Sequence, residues 1–287
     1  MAPWDDETPP DLTPLTLSQK VGGVIRLGVM VLLTVFAVVF FLAGRGLRSV
    51  FGRGITFHFW IARHWSHIGL RLAGLRLYVT GEPIREGSLV ANHSSWLDIL
   101  SLRSVRLIYF VSKAEVANWP GVGFITRITG TIFIERKRSQ AKVQEEMLRD
   151  RMTHDDLLCF FPEGTSTDGQ RVLPFKTSLF SAFYDEGVGT DILIQPVTLR
   201  YVPAEGSGLP ANFFGWWGDM GFEQSIWNVV TRSRGARAEV IFHRPLRARD
   251  IPDRKKLAEI CERMVSHGMA TGLPGPDSIT DQAGEPA

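Results

Sequence analysis

An uncharged run of residues from Leu27 to Gly44 constrains the fold of this chain more than any other feature. Its 18 residues are rich in valine, leucine and phenylalanine, which meets the lower length limit for a helix that spans a membrane. A helix buried in a large core is the alternative. A cleaved signal peptide fits less well, because about 25 residues that include four acids precede the run. The sequence therefore predicts a membrane helix near the N-terminus.

The segment from Arg45 to Arg76 has a different character. It contains six arginines, three histidines and no acid, interleaved with aromatic residues that include Trp60 and Trp65. Arginines beside tryptophans predict an amphipathic helix in the headgroup layer of an anionic membrane. A solvated basic helix would not need the two tryptophans. Because arginines follow the hydrophobic run and acids precede it, the positive-inside rule places the rest of the chain in the cytoplasm. A hairpin that dips into one leaflet stays an open alternative.

The remainder of the chain alternates short apolar runs with helical patterns. This alternation predicts a layered α/β domain with a mostly buried mixed sheet. Strands are expected at Leu75–Thr80, Ser88–Ala91, Leu107–Val111, Thr131–Glu135, Leu157–Phe161, Asp191–Leu199 and Ala238–Phe242, and helices at Trp96–Val105, Gln140–Met152, Thr177–Asp185, Gln224–Thr231 and Asp253–His267.

The predicted organisation has four parts. These are a disordered acidic N-terminus (1–20), a membrane anchor (21–76, with the hydrophobic helix at 27–44 and the basic segment at 45–76), a catalytic domain (77–270) and a disordered tail (271–287). Hydrophobic residues make up 44% of the chain, so a substantial core is feasible. The net charge of +2 gives no case for a nucleic-acid partner.

The cysteines and histidines give no sign of a metal site. Cys159 and Cys261 lie far apart, which favours a reducing compartment over a disulfide scaffold. His58, His64 and His67 are close in sequence, but they lack cysteine or carboxylate partners at metal-ligand spacing. We therefore expect no bound metal.

The chemistry centres on the segment from Asn92 to Asp98. His93 follows a short apolar strand, and Asp98 lies one helical turn further on. Ser94 and Ser95 are good helix N-caps, so we expect the chain to turn into a helix at this point. An imidazole held by a carboxylate is suited to act as a general base towards a hydroxyl. On its own, however, such a pair is most often an ordinary surface or capping feature.

Other motifs give this pair its meaning. The Asn-His-x4-Asp segment resembles the first signature block of the glycerolipid acyltransferase family, which includes 1-acylglycerol-3-phosphate acyltransferases. Three further blocks of that family have counterparts here in the same order, and the likeness extends over residues 76–245. These counterparts are Gly130–Arg136, Phe161–Thr165 and Ile194–Val197, together with the intervening Lys113.

The resemblance implies transfer of an acyl group from a thioester to a hydroxyl. His93 would be the base and Asp98 would orient its ring. The expected substrate-binding residues are Lys113, Arg136, Glu163, Gly164 and Thr165. No bound cofactor is implied, because an acyl carrier protein or coenzyme A thioester enters as a co-substrate. Membrane lipids and acyl carrier protein are therefore the expected partners, and the oligomeric state is left open.

The third block departs from the family at one position. The family's block ends in an arginine that is thought to hold the acceptor's phosphate, and this chain has Ser166 there. Serine cannot supply a bidentate, permanently charged donor. With Gly215–Met220 downstream, the block is similar to a bacterial subgroup that acylates lyso-ornithine or related aminolipids. The likeness implies a bacterial inner-membrane enzyme that faces the cytoplasm, with an aminolipid, lysophosphatidate or both as acceptor.

Two other classes of function compete with this interpretation. The His93–Asp98 pair would activate water in a lipid hydrolase, but no Gly-x-Ser-x-Gly nucleophile elbow surrounds Ser94 and Ser95. In a non-catalytic membrane-binding protein, the basic segment would itself be the functional surface.

Overall fold

The computed structural model of the protein describes residues 10, 12–52, 56–134, 157–184 and 192–275. The predicted helix Gln140–Met152 lies outside this part of the chain, as do Glu135 and Arg136.

The N-terminal helix α1 extends over Leu17–Phe51, well beyond the predicted hydrophobic run at both ends. It begins early because Thr16 and Gln19 form a capping box, in which each side chain accepts the other residue's backbone N–H at 3.3 and 2.9 Å. The expected disorder of residues 1–20 is therefore wrong from Leu17 onwards. By length and composition, α1 is the one helix of the described chain that is able to cross a membrane.

One side of α1 packs on the protein over most of its length. Arg26 donates to the carbonyls of Val230 and Ser233 at 3.1 and 2.8 Å, and Thr34 accepts a hydrogen bond from Trp65 at 3.0 Å. Phe41 is buried edge-on against a histidine ring of the next helix. The opposite side exposes aliphatic and aromatic side chains, which include Val24, Val31, Leu32, Val35, Phe36, Val39 and Phe40.

The second helix, α2, is Phe57–Leu72, so the basic segment is divided between two helices and a strand. Residues 45–51 of the basic segment form the end of α1, and its residues 75 and 76 form the start of the first strand. Trp60 is exposed and stacks on Phe57, as an interfacial residue would. Trp65 instead packs half-buried against α1, where its indole N–H bonds to Thr34. The arginines are also partly structural, because Arg63 donates to the carbonyl of Ser104 at 3.0 Å.

Eight strands form one mixed sheet in the described chain. In spatial order they are β1 (Leu75–Thr80), β7 (Ala236–Phe242), β6 (Leu193–Val202), β2 (Gly87–Ala91), β5 (Leu157–Phe160), β3 (Tyr109–Lys113) and β4 (Ile132–Ile134), and β8 (Leu246–Arg247) pairs with the start of β6. β6 is antiparallel to β7 and β8, and every other pair is parallel. The predicted strands are all present with shifted ends, apart from β1, whose bounds match. β8 was not predicted because it has only two residues.

Helices cover both faces of the sheet, as the α/β class requires. Val90 of β2 points into the apolar layer beneath the C-terminal helix, while Leu89 and Ala91 point into the layer on the other face. The sheet is therefore mostly buried, as predicted. The helices of the domain are α3 (Leu97–Val105), α4 (Val122–Ile128), α5 (Phe222–Arg232) and α6 (Arg254–Thr271), with 3-10 turns at Ala114–Asn118, Thr177–Tyr184 and Ala248–Asp250.

Two of these elements differ from the predictions in kind or extent. The helix predicted at Thr177–Asp185 is a 3-10 helix over its described residues, Thr177–Tyr184, and α4 was not predicted. The tail is ordered to residue 275, because the Gly275 amide donates to Nδ1 of the buried His243 at 2.9 Å. Burial lowers the pKa of His243 to about 4, so the ring stays neutral and able to accept that bond.

The sheet brings the sequence motifs together at one edge. β2, β3, β4, β5 and β6 run in the same direction, so the residues that follow β2, β3 and β5 emerge side by side. His93 follows β2, Lys113 ends β3, and Phe161 follows β5. Open α/β sheets place their ligand sites at the carboxyl ends of parallel strands.

Candidate active site

The turn that carries His93 is fixed by the residue before it. Asn92 is fully buried, and its side-chain amide donates to the Leu199 carbonyl at 3.0 Å while its oxygen accepts from the Leu199 N–H at 2.8 Å. The side chain thereby bonds to β6 as another strand residue would. The chain leaves β2 at a fixed place, and His93 starts from a rigid point of the sheet.

His93 and Asp98 form the predicted pair. Nδ1 of His93 lies 2.6 Å from Oδ2 of Asp98, which is a short hydrogen bond of the charge-assisted kind. The imidazole is 21% exposed and the carboxylate is completely buried. The carboxylate is therefore closed off from solvent, and the imidazole has one open side.

Asp98 is held by donors on both of its oxygens. Oδ2 also accepts the backbone N–H groups of Ser94 and Ser95 at 2.9 and 3.0 Å, and Oδ1 accepts the hydroxyl of Tyr201 at 2.7 Å. The two serines were predicted to cap the following helix through their side chains. The hydroxyl of Ser95 does accept the N–H of Leu97, the first residue of α3, at 3.3 Å, while the backbone N–H groups of both serines donate to Asp98.

This network determines which ring nitrogen of His93 carries the hydrogen in the neutral imidazole. Backbone N–H groups can only donate, so Oδ2 of Asp98 acts as an acceptor throughout, and Nδ1 of His93 carries the hydrogen in their shared bond. In the neutral ring, Nε2 then bears the lone pair. The arrangement leaves His93 able to remove a proton from a group at its exposed side.

Tyr201 was not predicted from the sequence as part of this site. It lies in β6, 103 residues from Asp98, and is buried with its hydroxyl also 3.1 Å from Oγ of Ser101. Burial, and then the Asp98 charge, raises the pKa of Tyr201 well above its ordinary value, so the phenol stays protonated and donates. No local pattern in the sequence marks it, because only the sheet brings β6 beside α3.

The third block surrounds the histidine from the neighbouring strand. The rings of His93 and Phe161 stack with centroids 4.3 Å apart and planes 21° apart. The carbonyl of His93 accepts the N–H of Thr167 at 3.0 Å. Both the ring and the backbone carbonyl of His93 are therefore in contact with the segment that follows β5.

Glu163 faces inwards. It is 2% exposed, and its two carboxyl oxygens accept the backbone N–H groups of His93 and Leu173 at 2.6 and 2.8 Å. Burial raises the pKa of Glu163 to about 8, although both of these hydrogen bonds act in the opposite direction. The carboxyl braces the backbone of the base. Direct binding of the acceptor by Glu163 stays a prediction.

The remaining predicted residues occupy different positions at this edge. Gly164 has φ of 69°, and its amide, predicted to face the substrate, closes a turn by donating to the Phe161 carbonyl at 3.0 Å. Thr165 is half-buried beside it, and Lys113 is exposed at the end of β3. Arg136 lies outside the described residues. Among the described residues no group of three acids, cysteines or histidines is arranged to hold a metal ion.

Comparison with known proteins gives a consistent picture. Residues 76–200 match the model of a family described as Acyltransferase. A lyso-ornithine lipid O-acyltransferase of Rhodobacter capsulatus is 44% identical over 273 residues, which cover 92% of this chain and 95% of the relative. A 1-acyl-sn-glycerol-3-phosphate acyltransferase of Neisseria gonorrhoeae is 31% identical over 159 residues, which cover 54% and 60% of the two chains.

The fold has a solved counterpart. The crystal structure of the 1-acyl-sn-glycerophosphate (LPA) acyltransferase PlsC from Thermotoga maritima superposes with a TM-score of 0.60 at 19% identity, covering 88% of this chain and 96% of that one. The chain belongs to the acyltransferase family, and it is an acyltransferase enzyme.

Proposed function

We propose that the chain is a membrane-associated O-acyltransferase that moves a fatty acyl group from a thioester to the free hydroxyl of a monoacylated lipid. One observation carries this proposal. His93 donates through Nδ1 to the buried Asp98, so its other nitrogen is ready to accept a proton. The pair lies at the carboxyl ends of the parallel strands, in contact with the third block.

The proposed reaction needs no enzyme-bound acyl group. The acceptor's hydroxyl oxygen attacks the thioester carbonyl carbon while Nε2 of His93 removes the hydroxyl proton. The tetrahedral intermediate then expels the thiolate, which takes the proton back from His93. Asp98 stabilises the imidazolium that exists between these two proton transfers.

The acceptor that we favour is a lyso-ornithine-type aminolipid. The extended likeness to the Rhodobacter capsulatus enzyme supports this choice, and so does Ser166 in place of a phosphate-binding arginine. Lysophosphatidate is the second candidate, supported by the likeness to the Neisseria gonorrhoeae enzyme. Either reaction would serve the biosynthesis of membrane lipids.

The acyl donor and the location belong to the same proposal. We propose that the donor is an acyl carrier protein or coenzyme A thioester, which enters and leaves as a substrate. The catalytic domain would face the cytoplasm at a bacterial inner membrane. The exposed apolar side of α1 and the exposed Trp60 of α2 support attachment to that membrane.

A paired acyl-transfer assay tests the proposal. Membranes that contain the chain receive one labelled acyl carrier protein thioester with lyso-ornithine lipid or with lysophosphatidate as acceptor. Diacylated product from the aminolipid supports our choice, and product from lysophosphatidate alone supports the second candidate. Release of free fatty acid without an acceptor, or no transfer to either lipid, would contradict an acyltransferase of this kind.

A further inference from the structure

The segment that follows the third block turns back onto it. The N–H of Lys176 donates to the carbonyl of Pro162 at 3.0 Å, and the N–H of Leu173 donates to Glu163 at 2.8 Å. The intervening Phe175 is buried in the core, and its N–H donates to Glu262 at 2.8 Å. The backbone of Lys176 is therefore fixed beside the third block, although its side chain is exposed.

The side chain of Lys176 extends over Gly164. A Cβ atom added at Gly164 would collide with Nζ of Lys176, so the ammonium group lies against the glycine. The positive φ of 69° favours glycine at position 164. The preceding residue, Glu163, accepts the backbone N–H of His93. The positive charge of Lys176 therefore lies at the turn that contains Glu163, whose carboxyl group binds the backbone of His93.

The same segment carries a second cation, Arg171. Nη2 of Arg171 lies 3.3 Å from Oδ2 of Asp168, and that carboxylate is buried. Ser166 lies between Gly164 and Asp168 in the sequence and carries no charge. Of the two cations on this segment, Lys176 is the one whose charge lies against the third block itself.

We infer that Lys176 binds the anionic group of the acceptor's headgroup and so helps to determine which lipid is used. This inference rests on the proposed function. Its ligand is a carboxylate, as in an amino-acid headgroup, or a phosphate, as in a glycerol phosphate. Lysine binds either of them as a compact point charge, without the fork geometry that arginine would supply.

The test compares charged and neutralised headgroups. Acceptors are lyso-ornithine lipid, its carboxyl methyl ester and lysophosphatidate, and enzymes are wild type, Lys176→Met, Lys176→Arg and the control Lys255→Met, an exposed lysine of α6. Loss of a charge-assisted hydrogen bond predicts a rise in acceptor KM of about 10- to 100-fold for Lys176→Met. The free acid should lose its advantage over the ester, Lys176→Arg should recover most of it, and the control should be unchanged.

The comparison of lyso-ornithine lipid with lysophosphatidate shows whether Lys176 binds a carboxylate or a phosphate. A loss confined to lyso-ornithine lipid supports a carboxylate, and a loss confined to lysophosphatidate supports a phosphate. The inference fails if Lys176→Met transfers to all three acceptors as the wild type does, or if it lowers kcat equally for acid and ester. Failure of the wild type to acylate any lysolipid would instead contradict the proposed function.

Discussion

Tyr201 of β6 donates its hydroxyl hydrogen to Asp98 of α3 at 2.7 Å, on the carboxylate oxygen that His93 does not use. Asp98, which hydrogen-bonds to the His93 ring, is thus itself held from the centre of the sheet. The orientation of the imidazole depends on the packing of α3 against β6 as well as on the five-residue turn between His93 and Asp98.

Removal of that hydroxyl should slow catalysis without abolishing it. Tyr201→Phe leaves the three donors on Oδ2 in place, so we expect kcat to fall by about 10- to 100-fold, since a hydrogen bond to a charged group contributes about 1.5–3 kcal/mol. The matched control is Ser101→Ala, which removes the hydroxyl 3.1 Å from Tyr201 but no contact with Asp98. A kcat that falls equally in both variants would show that Tyr201 acts through general packing.

Glu163 predicts a dependence of stability on pH. Its pKa is about 8 in the folded chain against an ordinary 4.5, so between these values the folded state keeps a proton that the unfolded state has lost. The contribution of Glu163 to the free energy of unfolding is fully present below pH 4.5 and is lost as the pH rises through 8. Glu163→Gln cannot ionise, and it should flatten this decline.

Thermal unfolding in detergent from pH 5 to pH 9 measures the effect of Glu163. The slope of Tm against pH is the useful quantity, because glutamine also places an N–H group against a backbone donor and lowers Tm at every pH. The control is Glu259→Gln, an exposed acid of α6. An unchanged slope in Glu163→Gln would mean that the carboxyl is ionised in the folded protein at neutral pH.

The exposed side of α1 predicts how the protein attaches to membranes. Val31 and Val35 are each 57% exposed, on the side that the domain leaves uncovered. A lysine at either position should cost up to about 2.5–3.5 kcal/mol of membrane affinity. Flotation with anionic vesicles measures this loss, with Glu205→Lys on an exposed loop as the control. Equal flotation of all the variants would contradict membrane contact on this side.

Ser166 predicts a change in acceptor preference. It is half-buried in the third block, three residues after Glu163. Ser166→Arg restores a bidentate phosphate donor, so we expect use of lysophosphatidate to rise relative to lyso-ornithine lipid. The ratio of the two initial rates, measured on the same membranes, checks this expectation. An unaltered ratio would mean that the headgroup is selected elsewhere.

The sequence predicted best what is local in the chain. β1 was placed residue for residue, and the His93–Asp98 contact was expected because a five-residue separation can close within one turn. The inward orientation of Glu163 and the contact of Tyr201 were not predictable in this way. Both depend on strands that are distant in sequence and adjacent in the sheet.

The contacts of the N-terminal helix were likewise not predictable from the local sequence. The apolar run predicts a membrane helix, but hydrophobicity alone does not reveal that the helix begins at Leu17, ten residues earlier, or that one side packs on the domain. Tryptophan is a residue type that is common at membrane interfaces, yet Trp65 contacts Thr34 of α1. Which aromatic side chains face lipid is decided by helix packing.

The rate of acyl transfer by His93→Ala tests the central claim most directly. Wild-type and variant membranes receive the same acyl thioester and lyso-ornithine lipid, and vesicle flotation confirms equal membrane association. Loss of a general base predicts a fall of about 10²- to 10⁴-fold in kcat, with flotation unchanged. A variant that keeps a substantial part of the wild-type rate would contradict the assignment of His93 as the base.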